Sequence, residues 1–323
     1  MSGVKEELKV AKVGGKELQA VALTDEKQTY LGYLYWFTIG GLEVPYEELR
    51  KLYEQLNIPM TYFPKSPRPI DAFKIATKEQ EQGDYIVEDE ETVDKKGKKV
   101  TNSRVRLLVS KIQSAGADAL PVVGKWVYEN DAVIKVCVDF KNPEYFDKAT
   151  AEVVARYEKL KTHITDKDMR DVLRVVVRSM QSVSLRPSGA VYFSSIAYAD
   201  LLLKFSNLVE ILGDQYGITG FSSELTTIPV VDTEAQRKLI YVKFETEAVN
   251  SITEMLPKIT EILGDEKKQI VPSQYKQYID TLNYIKECKS KYEELLKFTM
   301  SKTQVQLEIL EQQIGPVSYT HLR

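Results

Sequence analysis

The apolar and polar positions in the first part of the chain follow a pattern typical of strands. Tyr30–Ile39 is a run of aromatic and β-branched residues closed by two glycines, and 103–140 contains three shorter strand-like runs. Such runs favour extended structure, and the Glu-Asn-Asp sequence at 129–131 predicts a tight turn between the last two. The pattern therefore predicts a β-meander over 103–140. Two short helices are predicted as well, starting at Pro45 and Pro69, because proline suits the first helical turn.

After residue 145 the apolar residues recur every three or four positions, which is typical of amphipathic helices. Helices are predicted over 147–161, 165–182, 196–212, 233–263 and 272–313. We interpret Gly213 as the glycine that ends the third of them. Together the patterns predict an α+β fold, with antiparallel strands and short helices in the N-terminal half and a mostly helical C-terminal half.

The change of pattern also predicts the division of the chain into domains. An α+β domain with the β-meander is expected over 1–145, and a mostly helical domain over 146–315. The last residues, 316–323, read PVSYTHLR, and this matches the translation of an adapter used to prepare sequencing libraries. We interpret this tail as an artefact outside the fold, which also indicates a metagenomic source.

Composition narrows the classes of function. The net charge is −3, so attraction of the whole protein to nucleic acid is not expected. No apolar run approaches the length of about 20 residues that spans a bilayer, so no membrane partner is predicted. Only two cysteines are present, Cys137 and Cys288. They indicate inert, buried thiols in a reducing compartment, and the predicted location is the cytoplasm.

The residues that usually carry catalysis are scarce. His321 falls in the tail, which leaves His163 as the one imidazole, and we expect it to be an exposed loop residue. One imidazole and two distant thiols do not make a zinc or iron site. No phosphate-loop, serine-hydrolase or zinc-protease motif is present. The sequence therefore predicts no catalytic residue, no metal and no cofactor, and favours a protein that is not an enzyme.

An arginine stripe is the most informative feature. Arg170, Arg174 and Arg178 are spaced four residues apart in the predicted helix 165–182, so they share one face. Like charges at this spacing repel unless an anion or an acidic residue relieves them. Asp166 can pair with Arg170, and Asp171 with Arg174. Arg178 has no acidic residue within one helical turn.

A predicted turn follows the stripe and adds to the candidate site. Arg186, Ser188 and Gly189 lie in this turn, and glycine permits a close approach of a ligand to the backbone. Arginine forks match the oxygens of phosphate. We therefore predict a phosphate or nucleic-acid site at the four arginines with Ser188 and Gly189. The alternative is that the arginines form salt bridges to acidic helices.

Three segments resemble an uncharacterised family of proteins encoded by phages and prophages. They are YLYWFTIGGLEVPYEELRKL (33–52), PRPIDAFKIATK (67–78) and RPSGAVYF (186–193). The resemblance extends to about residue 260. It implies a phage or mobile-element source, and for a protein encoded in this way the cytoplasm of the host cell. It implies no activity, because none is established for that family.

Three functions are consistent with the sequence. The leading hypothesis is a non-enzymatic phage accessory protein that binds a partner protein or nucleic acid through the arginine stripe. The second is a structural or assembly protein that self-associates into a homo-oligomer through its amphipathic C-terminal helix. The third is a metal-dependent nuclease that uses only carboxylates.

Overall fold

The computed structural model describes residues 7–13, 16–22, 29–93, 97–112, 120–137, 143–186, 189–263 and 272–320. In these residues twelve strands, all in antiparallel pairs, are combined with eight α-helices. The predicted α+β class is confirmed. The strands lie mostly in the N-terminal half, and four of them fall beyond residue 160.

The elements before residue 140 are mainly strands. They are β1 (Glu7–Val13), β2 (Lys16–Ala22), β3 (Tyr30–Ile39), β4 (Glu43–Pro45), α1 (Tyr46–Gln55), α2 (Pro69–Lys78), β5 (Tyr85–Val93), β6 (Lys99–Ser110), β7 (Val122–Glu129) and β8 (Ala132–Cys137). Asn130 and Asp131 connect β7 to β8 with φ angles of 51° and 57°. Asparagine and aspartate tolerate this left-handed conformation, which gives the tight turn expected from the sequence.

The elements after residue 140 are mainly helices. They are α3 (Pro143–Leu160), β9 (His163–Thr165), α4 (Asp166–Ser179), β10 (Val183–Arg186), β11 (Gly189–Ser195), α5 (Ala199–Tyr216), β12 (Ser223–Val231), α6 (Glu234–Leu263), α7 (Pro272–Leu296) and α8 (Ser301–Thr320). At the start of α4 the Asp168 side chain accepts a hydrogen bond from the Thr165 N–H at 2.9 Å, as in a capping box.

The central sheet has the strand order β10-β11-β3-β12. Its middle strand, β3, is paired along its whole length with β12 and over 32–35 with β11. Tyr35 of β3 is buried, and its hydroxyl donates a hydrogen bond to the Ser182 Oγ at 2.6 Å. This sheet therefore joins the aromatic run near the amino terminus to the segment that follows α4.

Strand pairing crosses residue 145, where the sequence predicts a domain boundary. A separate apolar core instead covers 72–160, where α2 and α3 pack on the sheet β5-β6-β7-β8. Phe73, Trp126 and Phe146 are fully buried there. Chain on both sides of 70–160 forms the cores that flank the central sheet.

Three local expectations were wrong. Helix α5 continues through Gly213 to Tyr216, and a side chain at Gly213 would come within 2.7 Å of the Ser223 carbonyl oxygen. The glycine therefore permits close packing against the start of β12. The last predicted helix is divided into α7 and α8, because Lys297 turns the backbone with a φ of 59°. His163 is half-buried in β9, opposite Pro45 of β4.

Candidate ligand-binding cleft

Two of the four predicted arginines have structural partners. Arg170 bonds through its Nη1 to the Ile39 carbonyl oxygen at 2.7 Å and to Asp166 at 2.9 Å. These hydrogen bonds connect α4 to the end of β3. Arg174 pairs with Asp171 at 2.5 Å on the exposed surface. Both ion pairs are the ones that the helical spacing predicts.

Arg178 is in a different environment. Its guanidinium carbon lies 5.2 Å from the centre of the Tyr284 ring on α7. Among the residues that the structure describes, no carboxylate forms an ion pair with it. Stacking on an aromatic ring uses the face of a guanidinium group and leaves the N–H groups at its edge available to a ligand.

The predicted turn contributes less to this site. Arg186 is exposed at the end of β10 and lies opposite Gly189 of β11 in the hairpin. Ser188 is outside the described residues. Arg178 lines the cleft described below, whereas Arg170, Arg174 and Arg186 do not belong to its described lining.

A cleft of about 240 Å³ opens beside Arg178, between the end of α4, β10, α6 and α7. Phe244 and Ile285 supply buried apolar wall. The polar wall contains four hydroxyl groups, from Ser182, Ser251, Thr281 and Tyr284. The cleft also contains one more charged side chain, that of Glu247 on α6, so a cation and an anion face the same small space.

Several hydrogen bonds hold the last turn of α4 in place, and they therefore fix the position of Arg178 on that turn. Gln181 adopts a left-handed φ of 52°, and the next N–H, from Ser182, bonds back to the Val177 carbonyl at 3.1 Å. The Gln181 side chain is buried, and its amide oxygen accepts a hydrogen bond from the Tyr198 hydroxyl at 3.3 Å. Its backbone carbonyl accepts one from the Tyr292 hydroxyl at 2.9 Å. A glutamine in this conformation is strained and indicates a position that the surrounding structure determines.

Glu247 lacks a cationic partner in the described part of the chain. Its Oε2 accepts a hydrogen bond from the Ser184 N–H at 2.8 Å, on the edge strand β10. Burial raises the pKa of Glu247 above its ordinary value of 4.5, and the Ser184 N–H opposes this rise. Arg178 and Glu247 also form no ion pair with each other. Each charge is therefore available to a ligand.

The neighbouring groups on α7 are neutral at physiological pH. Burial raises the pKa of Tyr284, with smaller contributions from Cys288 and Glu247 in the same direction, and Arg178 opposes the rise. Burial also raises the pKa of the Cys288 thiol to about 11. Cys288 is the inert, buried thiol that the sequence predicts. The side chain of Cys137 lies outside the described residues.

The raised pKa of Glu247 predicts a change of stability with pH. A carboxyl whose pKa is higher in the folded state favours folding while protonated, and that contribution is lost as the pH rises. Glu247→Gln keeps an acceptor oxygen for the Ser184 N–H and cannot ionise. Urea unfolding should give similar stabilities for the two proteins at pH values below about 4.5, and at higher pH the variant should become the more stable one. A constant difference at all pH values would contradict this assignment.

Sequence reasoning missed most of this cleft. Glu247 lies on the same helical stripe as the buried residues Ile240, Phe244 and Ala248. An acidic residue within an apolar stripe is the signal that could have singled it out. Tyr284 carries no comparable signal, because half-buried tyrosines are common in this chain.

The nuclease hypothesis requires carboxylates that lie close enough together to hold a metal ion. Within the described residues, no three histidine, cysteine, aspartate or glutamate side chains lie close enough together to hold a metal ion.

In the same parts of the chain, no helix is both long enough and apolar enough to cross a bilayer. The predicted helix 272–313, which the self-association hypothesis requires, corresponds to α7 and α8, and both pack on their own chain through residues such as Leu282, Ile285, Leu307 and Leu310.

The fold and the cleft define an α+β protein with a small, charged cleft between helices and a sheet edge. The chain belongs to a family of unknown function, DUF6744, whose sequence pattern matches residues 30–320. No curated protein and no solved structure shows significant similarity to it.

Proposed function

We propose that this protein is a binding protein that holds the anionic group of a ligand with Arg178. The observation that carries the proposal is the position of this guanidinium. It lies over the Tyr284 ring at the edge of a cleft, and it has no ion-pair partner among the described residues. Arginine presents five N–H donors in a planar fork, so a carboxylate or phosphate in the cleft can bind through two parallel hydrogen bonds.

The remaining arginines of the stripe support a smaller site than the sequence predicts. Arg170 and Arg174 already have aspartate partners. A protein that follows a nucleic-acid backbone needs several free cations along one surface. The arrangement therefore favours a single anionic group in the cleft over a polyanion along α4.

Arg178→Gln tests the proposal, with Arg174→Gln as a matched control one turn earlier on the same helix. Binding of acetate, inorganic phosphate, pyrophosphate and a 5′-phosphorylated single-stranded oligonucleotide would be measured by calorimetry at low ionic strength. A hydrogen bond to a charged group contributes about 1.5–3 kcal/mol, so Arg178→Gln should weaken binding by roughly 10- to 100-fold. Arg174→Gln should change it by less than about twofold, because exposed ion pairs contribute little.

Three results would contradict the proposal: that none of the probes binds, that binding is unchanged in Arg178→Gln, or that both variants weaken binding equally. The last result, together with tight oligonucleotide binding that falls steeply with salt, would place a polyanion on the outer face of α4 instead. Thermal melting of both variants checks that they remain folded.

We also propose that the gene belongs to a phage or another mobile element, and that the protein acts in the cytoplasm of the host cell. The three segments that resemble phage-encoded proteins support the origin, and the two separated cysteines support the compartment. The neighbouring genes on the natural DNA test the origin. Neighbours of chromosomal housekeeping type on both sides would contradict it.

A further inference from the structure

We infer that the ligand of the cleft carries an ammonium group as well as an anionic group, and that Glu247 receives the ammonium. The ligand class is a small zwitterion, such as a free amino acid or an aminoalkyl phosphate. This inference rests on the proposed function, because Arg178 holds the other end of the same molecule. What is new is that the ligand carries a second, positive charge and that the ligand is small.

The charges of the cleft carry the inference. Arg178 comes from α4 and Glu247 from α6, and both line the same space without forming an ion pair with each other. The Glu247 carboxylate has one described hydrogen bond, from the Ser184 N–H. An anion alone would satisfy the guanidinium and be repelled by the carboxylate. A molecule with opposite charges at its two ends satisfies both groups.

The size and lining of the cleft limit the ligand further. Its volume of about 240 Å³ lies below the roughly 300–1,000 Å³ of pockets that hold drug-sized molecules. Phe244 and Ile285 offer apolar surface to a hydrocarbon part. The Ser251 hydroxyl offers a hydrogen bond to a polar atom, and the Thr281 hydroxyl, which donates to the Gln277 carbonyl oxygen at 2.8 Å, can accept one. These features fit a molecule with two charged groups on a short carbon skeleton.

The test compares zwitterions with analogues that carry one charge. The probes are L-leucine and 2-aminoethyl phosphate, each paired with its N-acetyl derivative, which keeps the anionic group and removes the ammonium. Calorimetry with the wild-type protein should show that at least one zwitterion binds at least about tenfold more tightly than its own N-acetyl derivative. Comparing the two zwitterions identifies the anionic group as a carboxylate or a phosphate.

Glu247→Gln is the decisive variant, and Glu254→Gln, at an exposed position of the same helix, is its matched control. In Glu247→Gln the preference for the zwitterion should fall to about twofold or less, while the N-acetyl derivative binds as well as before or better. In Glu254→Gln the preference should be unchanged. Urea unfolding checks that the variants are folded.

The outcomes separate this inference from the function on which it rests. If the anionic probes bind and depend on Arg178, but the zwitterions have no advantage, the inference is overturned and anion binding remains. An advantage that survives in Glu247→Gln also overturns it, because the ammonium is then held elsewhere. If no probe binds at all, both the inference and the proposed function fail.

Discussion

Replacing Gly32 by alanine is expected to lower the free energy of unfolding by about 3 kcal/mol or more. A Cβ at this position would lie 1.9 Å from the Ser194 carbonyl oxygen and 2.9 Å from the Ile196 nitrogen. Both are backbone atoms, at the place where β11 pairs with β3. They cannot move away without disturbing that pairing. Urea denaturation of the variant measures the loss.

Gly83→Ala is the control for this prediction. Gly83 has a φ of 55°, and an added Cβ would meet no atom within 4 Å. The variant therefore incurs only the backbone cost of a left-handed residue, about 1–2 kcal/mol. Losses of equal size at the two glycines would show that the close approach of β11 to β3 is wrong.

Replacing Glu43 by glutamine is expected to cost about 2 kcal/mol at neutral pH. The Glu43 side chain in β4 is only 12% exposed and pairs with both Arg156 and Lys159 of α3. It joins the core over 72–160 to the short β4–β9 sheet. Among the ion pairs of the described residues, removing its charge leaves these two cations with the carboxylate of Glu79, which pairs with Arg156 at 2.8 Å.

The effect of Glu43→Gln should depend on pH in a defined direction. Burial raises the pKa of Glu43, but the hydrogen bonds and charges of Lys159 and Arg156 outweigh burial and hold it below the ordinary value of 4.5. The ion pairs therefore stabilise the fold above that value, and their contribution is lost as the pH falls through the lower pKa of the folded state. The unfolding free energies of the wild type and the variant should converge in acid.

Glu158→Gln provides the comparison for Glu43. Glu158 pairs with Lys161 at 2.5 Å on the surface, with its side chain 54% exposed. Exposed pairs of this kind contribute about 0–1 kcal/mol, so this variant should change stability little at any pH. A loss at Glu158 as large as that at Glu43 would contradict the role assigned to the buried network.

Local patterns in the sequence predict much of the fold. The helical spacing predicts most of the helices, and the Asn130-Asp131 pair predicts the turn between β7 and β8. The pairing of β3 with strands from beyond residue 180 could not be predicted. It depends on contacts between distant segments, and periodicity within one segment carries no information about its partner. The continuation of α5 through Gly213 has the same origin, because the reason is the approach of β12.

The candidate site shows the same division between local and distant information. The spacing of Asp166 and Asp171 predicts partners for two arginines of the stripe, and the structure contains both pairs. The same spacing identifies Arg178 as the arginine without an acidic residue within one helical turn. That Tyr284 and Glu247 lie beside Arg178 depends on the packing of α6 and α7 against the end of α4, which no local pattern specifies.

Nuclear magnetic resonance of nitrogen-labelled arginine side chains tests the central claim most directly. Each guanidinium Nε–H signal is followed while L-leucine, 2-aminoethyl phosphate or inorganic phosphate is added. The signal of Arg178, assigned with Arg178→Gln, should shift and saturate, while those of Arg170 and Arg174 stay in place. Shifts confined to Arg174, or no shift with any of the three probes, would contradict a ligand site in this cleft.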